Sequence, residues 1–410
     1  MTAAPRLDRS PRRNLIHLLG PAFVAAIAYV DPGNVAANLS AGAQYGYLLI
    51  WVLVLANAMA VLVQYLSAKL GLVTGKSLPQ VLAARMPRLG RLLYWAQAEL
   101  VAVATDLAEV IGGALALAIL FDLPLLLGGA ITGAVSLGIL ALQGRSQRRF
   151  EAVIISFLAV ITIGFVAGLF VSPVDWGGVA EGLVPGFAGT ETVVLAASML
   201  GATVMPHAIY LHSSLARDRY GVTSDPQQVT RLLRATKVDV ALALAVAGGV
   251  NISMLLLAAS SLAGVEGTET IQGAAAAISA NLGPGIGVVF AVGLLASGLA
   301  STSVGSYAGA EIMGGLLKVR IPLLVRRLVT LLPALVLLGI GIEPTWALVL
   351  SQVVLSFGIP FAVIPLIWLT SRRSVMGDRA NRPPLVITGL AAATLIVTLN
   401  VALIAVTLGG

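Results

Sequence analysis

The stretch Ala28-Tyr29-Val30-Asp31-Pro32-Gly33-Asn34 sets a carboxylate, a proline and a glycine inside an otherwise apolar run. Ala202-Thr203-Val204-Met205-Pro206-His207 repeats its A-x-V-x-P core, with methionine in place of aspartate. Proline has no N–H, and its ring clashes with the carbonyl four residues back. In the two stretches that carbonyl belongs to Ala28 and to Ala202. The residue before each proline, Asp31 or Met205, is pushed out of helical geometry, and Gly33 lets the chain turn at little steric cost. Asn34 is placed to cap the helix that restarts. Both stretches therefore predict helices broken in mid-course, each freeing a carbonyl oxygen one turn before its proline.

The surroundings of the two stretches say which solvent these helices meet. The 410 residues are 58% hydrophobic and only 10% charged, against about 25% charged in soluble domains. Apolar stretches of ~20 residues, the length that crosses a bilayer core, recur along the whole chain. In hydrocarbon the backbone must satisfy its own hydrogen bonds, so these are helices. The alternating ten-residue pattern of a membrane β-barrel is not seen. Eleven spans are expected, near 14–42, 47–71, 89–119, 122–142, 150–171, 191–217, 233–263, 280–316, 322–342, 345–370 and 384–408. The chain has no cysteine, which removes disulfides and thiolate metal sites. No cleavable signal peptide and no separate soluble domain are evident.

The net charge of +7 is a matter of topology. All 25 Lys and Arg fall in the segments 1–13, 69–91, 143–149, 217–237, 318–327 and 371–383. Segments 172–190 and 264–279 hold none, yet carry Asp175, Glu181, Glu266 and Glu269. The positive-inside rule then puts the N-terminus in the cytoplasm and the C-terminus outside, in a cell membrane. It also makes the basic charge a set of interface anchors and leaves no case for nucleic acid as a partner.

The matching stretches lie in spans one and six. The second comes five spans after the first, an odd number, so the two copies run in opposite directions through the membrane. That is the mark of an inverted repeat of five plus five helices, repeat one about 14–171 and repeat two about 191–370, with an extra helix about 384–408. Secondary transporters built this way hold substrate near the midplane, at discontinuous helices in matching positions.

A cation between the breaks would meet the Ala28 and Ala202 carbonyls, the Asp31 carboxylate, the Asn34 amide oxygen and the Met205 thioether. The first half-helices also point their partially negative ends there. Mg²⁺ and Ca²⁺ want all-oxygen shells, whereas softer transition-metal ions accept sulfur. Met205 is thus expected to filter against the harder ions. A single carboxylate among neutral ligands suits an ion that must be released.

These residues resemble the Nramp (natural resistance-associated macrophage protein) divalent metal transporters. The resemblance rests on D-P-G-N at 31–34 and M-P-H at 205–207, extended by the runs from Gly20-Pro21-Ala22-Phe23 to Asn34 and from Met205 to Ser213. It covers almost the whole chain. It implies the LeuT-type fold and import of Mn²⁺ and Fe²⁺, with Cd²⁺ and Co²⁺ as further substrates, driven with protons and without a resident cofactor. It implies metal ligation by Ala28, Asp31, Asn34, Ala202 and Met205, with Gln352 joining the shell in one state. Gly358 departs from the family pattern, which puts a bulkier residue there.

Span three adds Glu99, Asp106 and Glu109, which lie within roughly 80° of one another on a helix. Carboxylates at bilayer depth mark polar routes. Their expected partners are Arg219, Arg326 and Arg327. His207, next to the metal thioether, titrates near neutrality and suits a proton relay. The resemblance implies a proton network of Asp31, His207, Asp106, Glu109, Arg219 and Arg327. His212 lies about 140° around the helix from His207 and is expected to make a structural polar contact. His17 is expected at the inner interface and Asp239 in a local pair with Lys237. Glu311 should face the inner vestibule. The small residues Gly298, Ser301, Ser303, Gly305 and Gly309 of span eight are expected to allow close helix packing.

Three other readings are weaker. A sodium-coupled amino-acid or organic-solute symporter of the same fold needs bare N–H groups for a substrate carboxylate, not Asp31 and Met205. An intramembrane metalloenzyme needs a general base beside a tightly held metal, and three scattered histidines without an H-E-x-x-H motif do not provide one. A channel lacks two occluding breaks. The chain is therefore expected to be a transporter and not an enzyme, with the divalent ion, protons and lipid as partners and a monomer sufficient.

Overall fold

A proline at the first position of a helix loses no hydrogen bond, because that N–H has no partner within the helix anyway. Several helices of this protein open in that way. The computed structural model describes residues 20–409 apart from 146, 224 and 320. Helix α1, Pro21–Ala26, tightens into a 3₁₀ turn over Ile27–Val30, stops at Asp31, and the chain resumes as α2, Pro32–Tyr45. Next come α3 (Ile50–Thr74), the short α4 (Leu78–Ala83), α5 (Arg88–Phe121), α6 (Leu125–Arg145) and α7 (Gln147–Val166). After the short α8 (Trp176–Glu181), the second broken span runs as α9 (Thr190–Thr203) and α10 (Pro206–Tyr220). Then follow α11 (Pro226–Ser261), α12 (Ile271–Leu282), α13 (Pro284–Leu317), α14 (Leu323–Gly339) and α15 (Pro344–Ser371). The one-turn α16 (Arg373–Met376) leads to α17 (Pro383–Gly409).

Each of the eleven expected spans contains a helix. Among the described residues eight helical stretches are long and apolar enough to cross a membrane, and Pro21–Val30 and Leu125–Ala141 are shorter apolar helices. The start of the first span and His17 lie outside the described residues. Helix α11 begins at Pro226 and not near 233, because Asp225 caps it by accepting from the Gln227 N–H. Hydropathy marks the crossing, whereas the capped helix runs on past it. For the same reason α8 and α12 sit in the outer segments read as connections. Asp175 and Thr270 cap them.

Burial ranks the spans. In the span Thr190–Tyr220, 89% of the apolar stretch is buried inside the protein, against 33% for Arg148–Phe170 and Pro383–Ala405. The sixth span is central, and the fifth and eleventh are peripheral. Helix α2 packs on α9 and α11, α10 on α3, α15 on α9, and α13 along α5. Those packings are close because glycine stands at the crossings. A side chain at Gly201 would run into the Gln352 carbonyl, and one at Gly71 into the Ser213 carbonyl. Gly358 fits the same rule: its missing side chain leaves room for Val101 and Pro206.

Gly112 of α5 lies against the Pro32 ring, where any Cβ would overlap the ring carbons. Gly112→Ala should therefore destabilise the protein by ~1–3 kcal/mol, the usual cost of overpacking. The check is a thermal melt in detergent. Gly138→Ala, with open space around the position, should melt as the parent does.

Candidate metal site

At the first break Asp31 is extended (φ −71°, ψ 168°) and Pro32 begins the next helix. Asp31 itself caps α2, its Oδ1 accepting from the Asn34 N–H at 2.8 Å. This corrects the expectation that Asn34 is the cap. With proline at the first helical position, the residue before it holds the cap position, and Asn34 is left free to reach elsewhere. It does so with its side chain: Asn34 Nδ2 donates to Asp31 Oδ1 and to the Ala202 carbonyl, both at 2.8 Å. One amide thereby joins the two breaks across 168 residues.

At the second break Val204 (φ −106°, ψ 67°) and Met205 (φ −69°, ψ 119°) are non-helical before Pro206. Gln352 of α15 approaches from a third side, with Nε2 at 3.4 Å from Asp31 Oδ2. Asp31, Asn34, Ala202, Met205 and Gln352 are all completely buried, and Ala28 nearly so. Asn34 Oδ1, Gln352 Oε1, Thr203 Oγ1 and His207 Nε2 are buried with no hydrogen-bond partner. Among the described residues no group of three or more His, Asp or Glu could hold a metal. Any cation here would therefore rest on one carboxylate with amide, carbonyl and thioether donors.

The chain matches the family described as "Natural resistance-associated macrophage protein-like" over residues 22–406. It belongs to the Nramp family. The "Divalent metal cation transporter MntH" of Mycobacterium tuberculosis is 61% identical over 395 residues, 96% of this chain and 92% of that protein. The Bacillus subtilis protein of the same name is 47% identical over the same shares. The crystal structure of the Eremococcus coleocola manganese transporter, in complex with an aromatic bis-isothiourea substituted compound, superposes with a TM-score of 0.87 at 30% identity. That match covers 99% of this chain and 89% of that one. The LeuT-type fold extends further: a nucleobase-cation-symport-1 family transporter matches at TM-score 0.59 and 16% identity, over 94% and 92% of the two chains.

Behind the break this Nramp chain carries a file of charge. Arg326 pairs with Glu99 at 2.6 Å, and Arg327 with Asp106 at 3.2 Å. Arg327 is among the largest completely buried side chains of the protein. Glu109, one helical turn beyond Asp106, is also fully buried. Room for these groups comes from α13. Gly305 faces the Glu109 carboxylate and Gly309 the Arg326 guanidinium, while Gly298 meets the Gly113 backbone. The small-residue stripe thus houses buried charge as well as permitting close packing. His207 Nδ1 lies 3.3 Å from Thr105 Oγ1, whose own proton goes to the Val101 carbonyl. Nδ1 is then the donor in that contact, and Nε2 is left without a hydrogen-bond partner.

Other residues fall elsewhere. Arg219 does not join the Asp106–Arg327 pair but faces Glu151 at 3.6 Å. It lies in the last turn of α10, too far along the helix from His207 to share its surroundings. Asp239 makes no local pair with Lys237. Its two oxygens accept the N–H groups of Gly20 and Ala22, each at 3.0 Å, because the start of α1 presents unpaired donors. Glu311 lies 3.7 Å from Arg217. His212 makes the structural contact expected of it, with Nδ1 2.7 Å from Gln64 Oε1, and Gln64 in turn reaches the Tyr29 hydroxyl.

Sequence reading missed the residues that hold the first break open. Asn251 of α11 donates to the Tyr29 carbonyl at 2.7 Å, and Ser297 of α13 to the Val30 carbonyl at 2.5 Å. Asn251 also accepts from Asn38 at 3.1 Å. The available signal was a lone asparagine in mid-span, because an intramembrane polar residue needs a partner.

Removing Arg327 leaves the Asp106 carboxylate buried without its cation, a change that typically costs 3–5 kcal/mol. Arg327→Leu should therefore lower the melting temperature strongly. Arg327→Leu with Asp106→Leu should recover much of the loss. A double-mutant cycle of thermal melts checks the coupling.

Proposed function

We propose that this protein imports divalent transition-metal ions, Mn²⁺ and Fe²⁺ with Cd²⁺ and Co²⁺ as further substrates, together with protons. The observation that carries the reading is the Asn34 amide, which joins the Asp31 carboxylate of one break to the Ala202 carbonyl of the other. An N–H₂ group that satisfies two such oxygens occupies the kind of place a cation takes. When the ion arrives, the amide turns and offers Oδ1. Ala28, Asp31, Asn34, Ala202 and Met205 then surround the ion, with Gln352 Oε1 as a further oxygen. The names of the relatives, a divalent metal cation transporter and a manganese transporter, support the same substrate class.

The ion moves by alternating access. The outer end of the breaks opens, the metal sheds most of its water, and the half-helices of spans one and six rock to the other side. With the N-terminus cytoplasmic, each charge entering an inside-negative cell gains about 2.3 kcal/mol per 100 mV. The proton starts from Asp31, because metal and proton compete for that carboxylate. His207 Nε2, Asp106, Glu109 and Arg327 form the route onward. Arg219, paired with Glu151, shapes the inner exit of that route. Met205 discriminates: sulfur contributes little to Mg²⁺ or Ca²⁺ and more to the softer ions.

The test is uptake into proteoliposomes containing a pH dye. The parent should take up Mn²⁺ and Cd²⁺ with internal acidification and exclude Mg²⁺ and Ca²⁺. Asp31→Ala should abolish metal uptake. Met205→Ala should keep Mn²⁺ uptake, weaken the preference for Cd²⁺ and admit more Ca²⁺; unchanged selectivity would refute the filter. His207→Ala should reduce acidification more than metal uptake. Equal loss of both would sink its separate role as a relay.

A further inference from the structure

A cavity of ≈ 800 Å³ lies between α3, α11 and the start of α17, away from the two breaks. One end is cationic, lined by Lys69, Lys237, Arg379 and Arg382 against a single carboxylate, Asp378. These cations are only partly engaged with one another's surroundings. Lys69 Nζ donates to Asn381 Oδ1 at 2.7 Å. Arg379 donates to the Pro226 carbonyl at 3.0 Å and to Thr230 Oγ1 at 2.6 Å. Those partners are neutral, so they hold the side chains in place and leave the charge uncompensated. Lys237 and Arg382 are exposed. The other end is apolar, lined by Ala58, Val61, Leu62, Val240 and Leu385, with Tyr65 between the two.

The dimensions match one membrane leaflet. Ala58 to Lys69 along α3 is about 17 Å at 1.5 Å per residue, and half of a ~30 Å hydrocarbon core is about 15 Å. The cationic end belongs to the segments 69–91, 217–237 and 371–383, which collect Lys and Arg at the inner face. Basic pockets between spans on that side suit anionic lipid headgroups.

We propose that this cavity is a binding site for an anionic phospholipid of the inner leaflet. Its phosphate sits among Lys69, Lys237, Arg379 and Arg382, and its acyl chain lies along Val61, Leu62 and Leu385 toward the membrane centre. A soluble anion would use the cations alone and leave the apolar end of the groove idle. A neutral lipid would use the groove and leave four charges facing one carboxylate. The site is independent of the metal reading, since none of these residues touches the breaks.

Native mass spectrometry of the purified transporter tests this with phosphatidylglycerol and phosphatidylcholine as probes at equal concentration. The wild type should retain phosphatidylglycerol about tenfold or more over phosphatidylcholine, because basic side chains near the membrane surface attract anionic headgroups. Lys237→Gln with Arg382→Gln, both exposed, should lose most of that preference while melting at the wild-type temperature. Leu62→Trp fills the groove, keeps every cation, and should also lose the lipid. Equal retention of the two lipids, or unchanged retention in either variant, would overturn the site. So would displacement of phosphatidylglycerol by millimolar inorganic phosphate, which would mark a soluble anion as the ligand.

Discussion

Every backbone carbonyl that a broken helix releases inside hydrocarbon must find a donor, and this requirement organises the centre of the protein. The first break exposes the carbonyls of Tyr29 and Val30, and α11 and α13 each supply one side chain to meet them, Asn251 and Ser297. The second break exposes Ala202, and the first break answers it through Asn34. The helices around the site are therefore fixed by the need to satisfy main-chain oxygens. Glycines at positions 71, 112 and 201 let them come near enough to do so.

The same constraint governs charge. Arg327 has no exposed surface and faces Asp106, while Glu109 lies one turn on with its carboxylate against Gly305. A buried pair of this kind adds little net stability, because desolvation offsets the attraction. The fold makes provision for this charge, which is therefore not there as a brace. The α13 glycines make that provision possible in volume terms, since any side chain at 305 or 309 would take the space of a carboxylate or a guanidinium.

Much of this was legible in the chain. Pro32 and Pro206 announce the breaks, because an imino acid cannot continue a helix, and the distribution of Lys and Arg organises the crossings. Asp31, His207 and Asp106 stood out because ionisable groups are rare at membrane depth. Other features were not legible for definite reasons. Asn251 and Ser297 act on carbonyls that are distant in sequence, so no local pattern carries them. Asp239 stands next but one to Lys237, and proximity in sequence suggested a pair that tertiary contact replaced. The cap at α2 was assigned to Asn34 when the geometry of a proline at the first helical position gives it to Asp31. Helices α8 and α12 escaped notice because hydropathy reports crossings, not short capped turns lying outside them.

The mooring of α1 has a further implication. Asp239 grips the main chain of Gly20 and Ala22, not their side chains. The short first half-helix is therefore tied to α11 at its start, while Asn251 and Ser297 hold the 3₁₀ turn at its other end. The clasp is a carboxylate more than 200 residues away, so swinging the tip free would break two hydrogen bonds and uncover Pro21 and Ala22, which are buried.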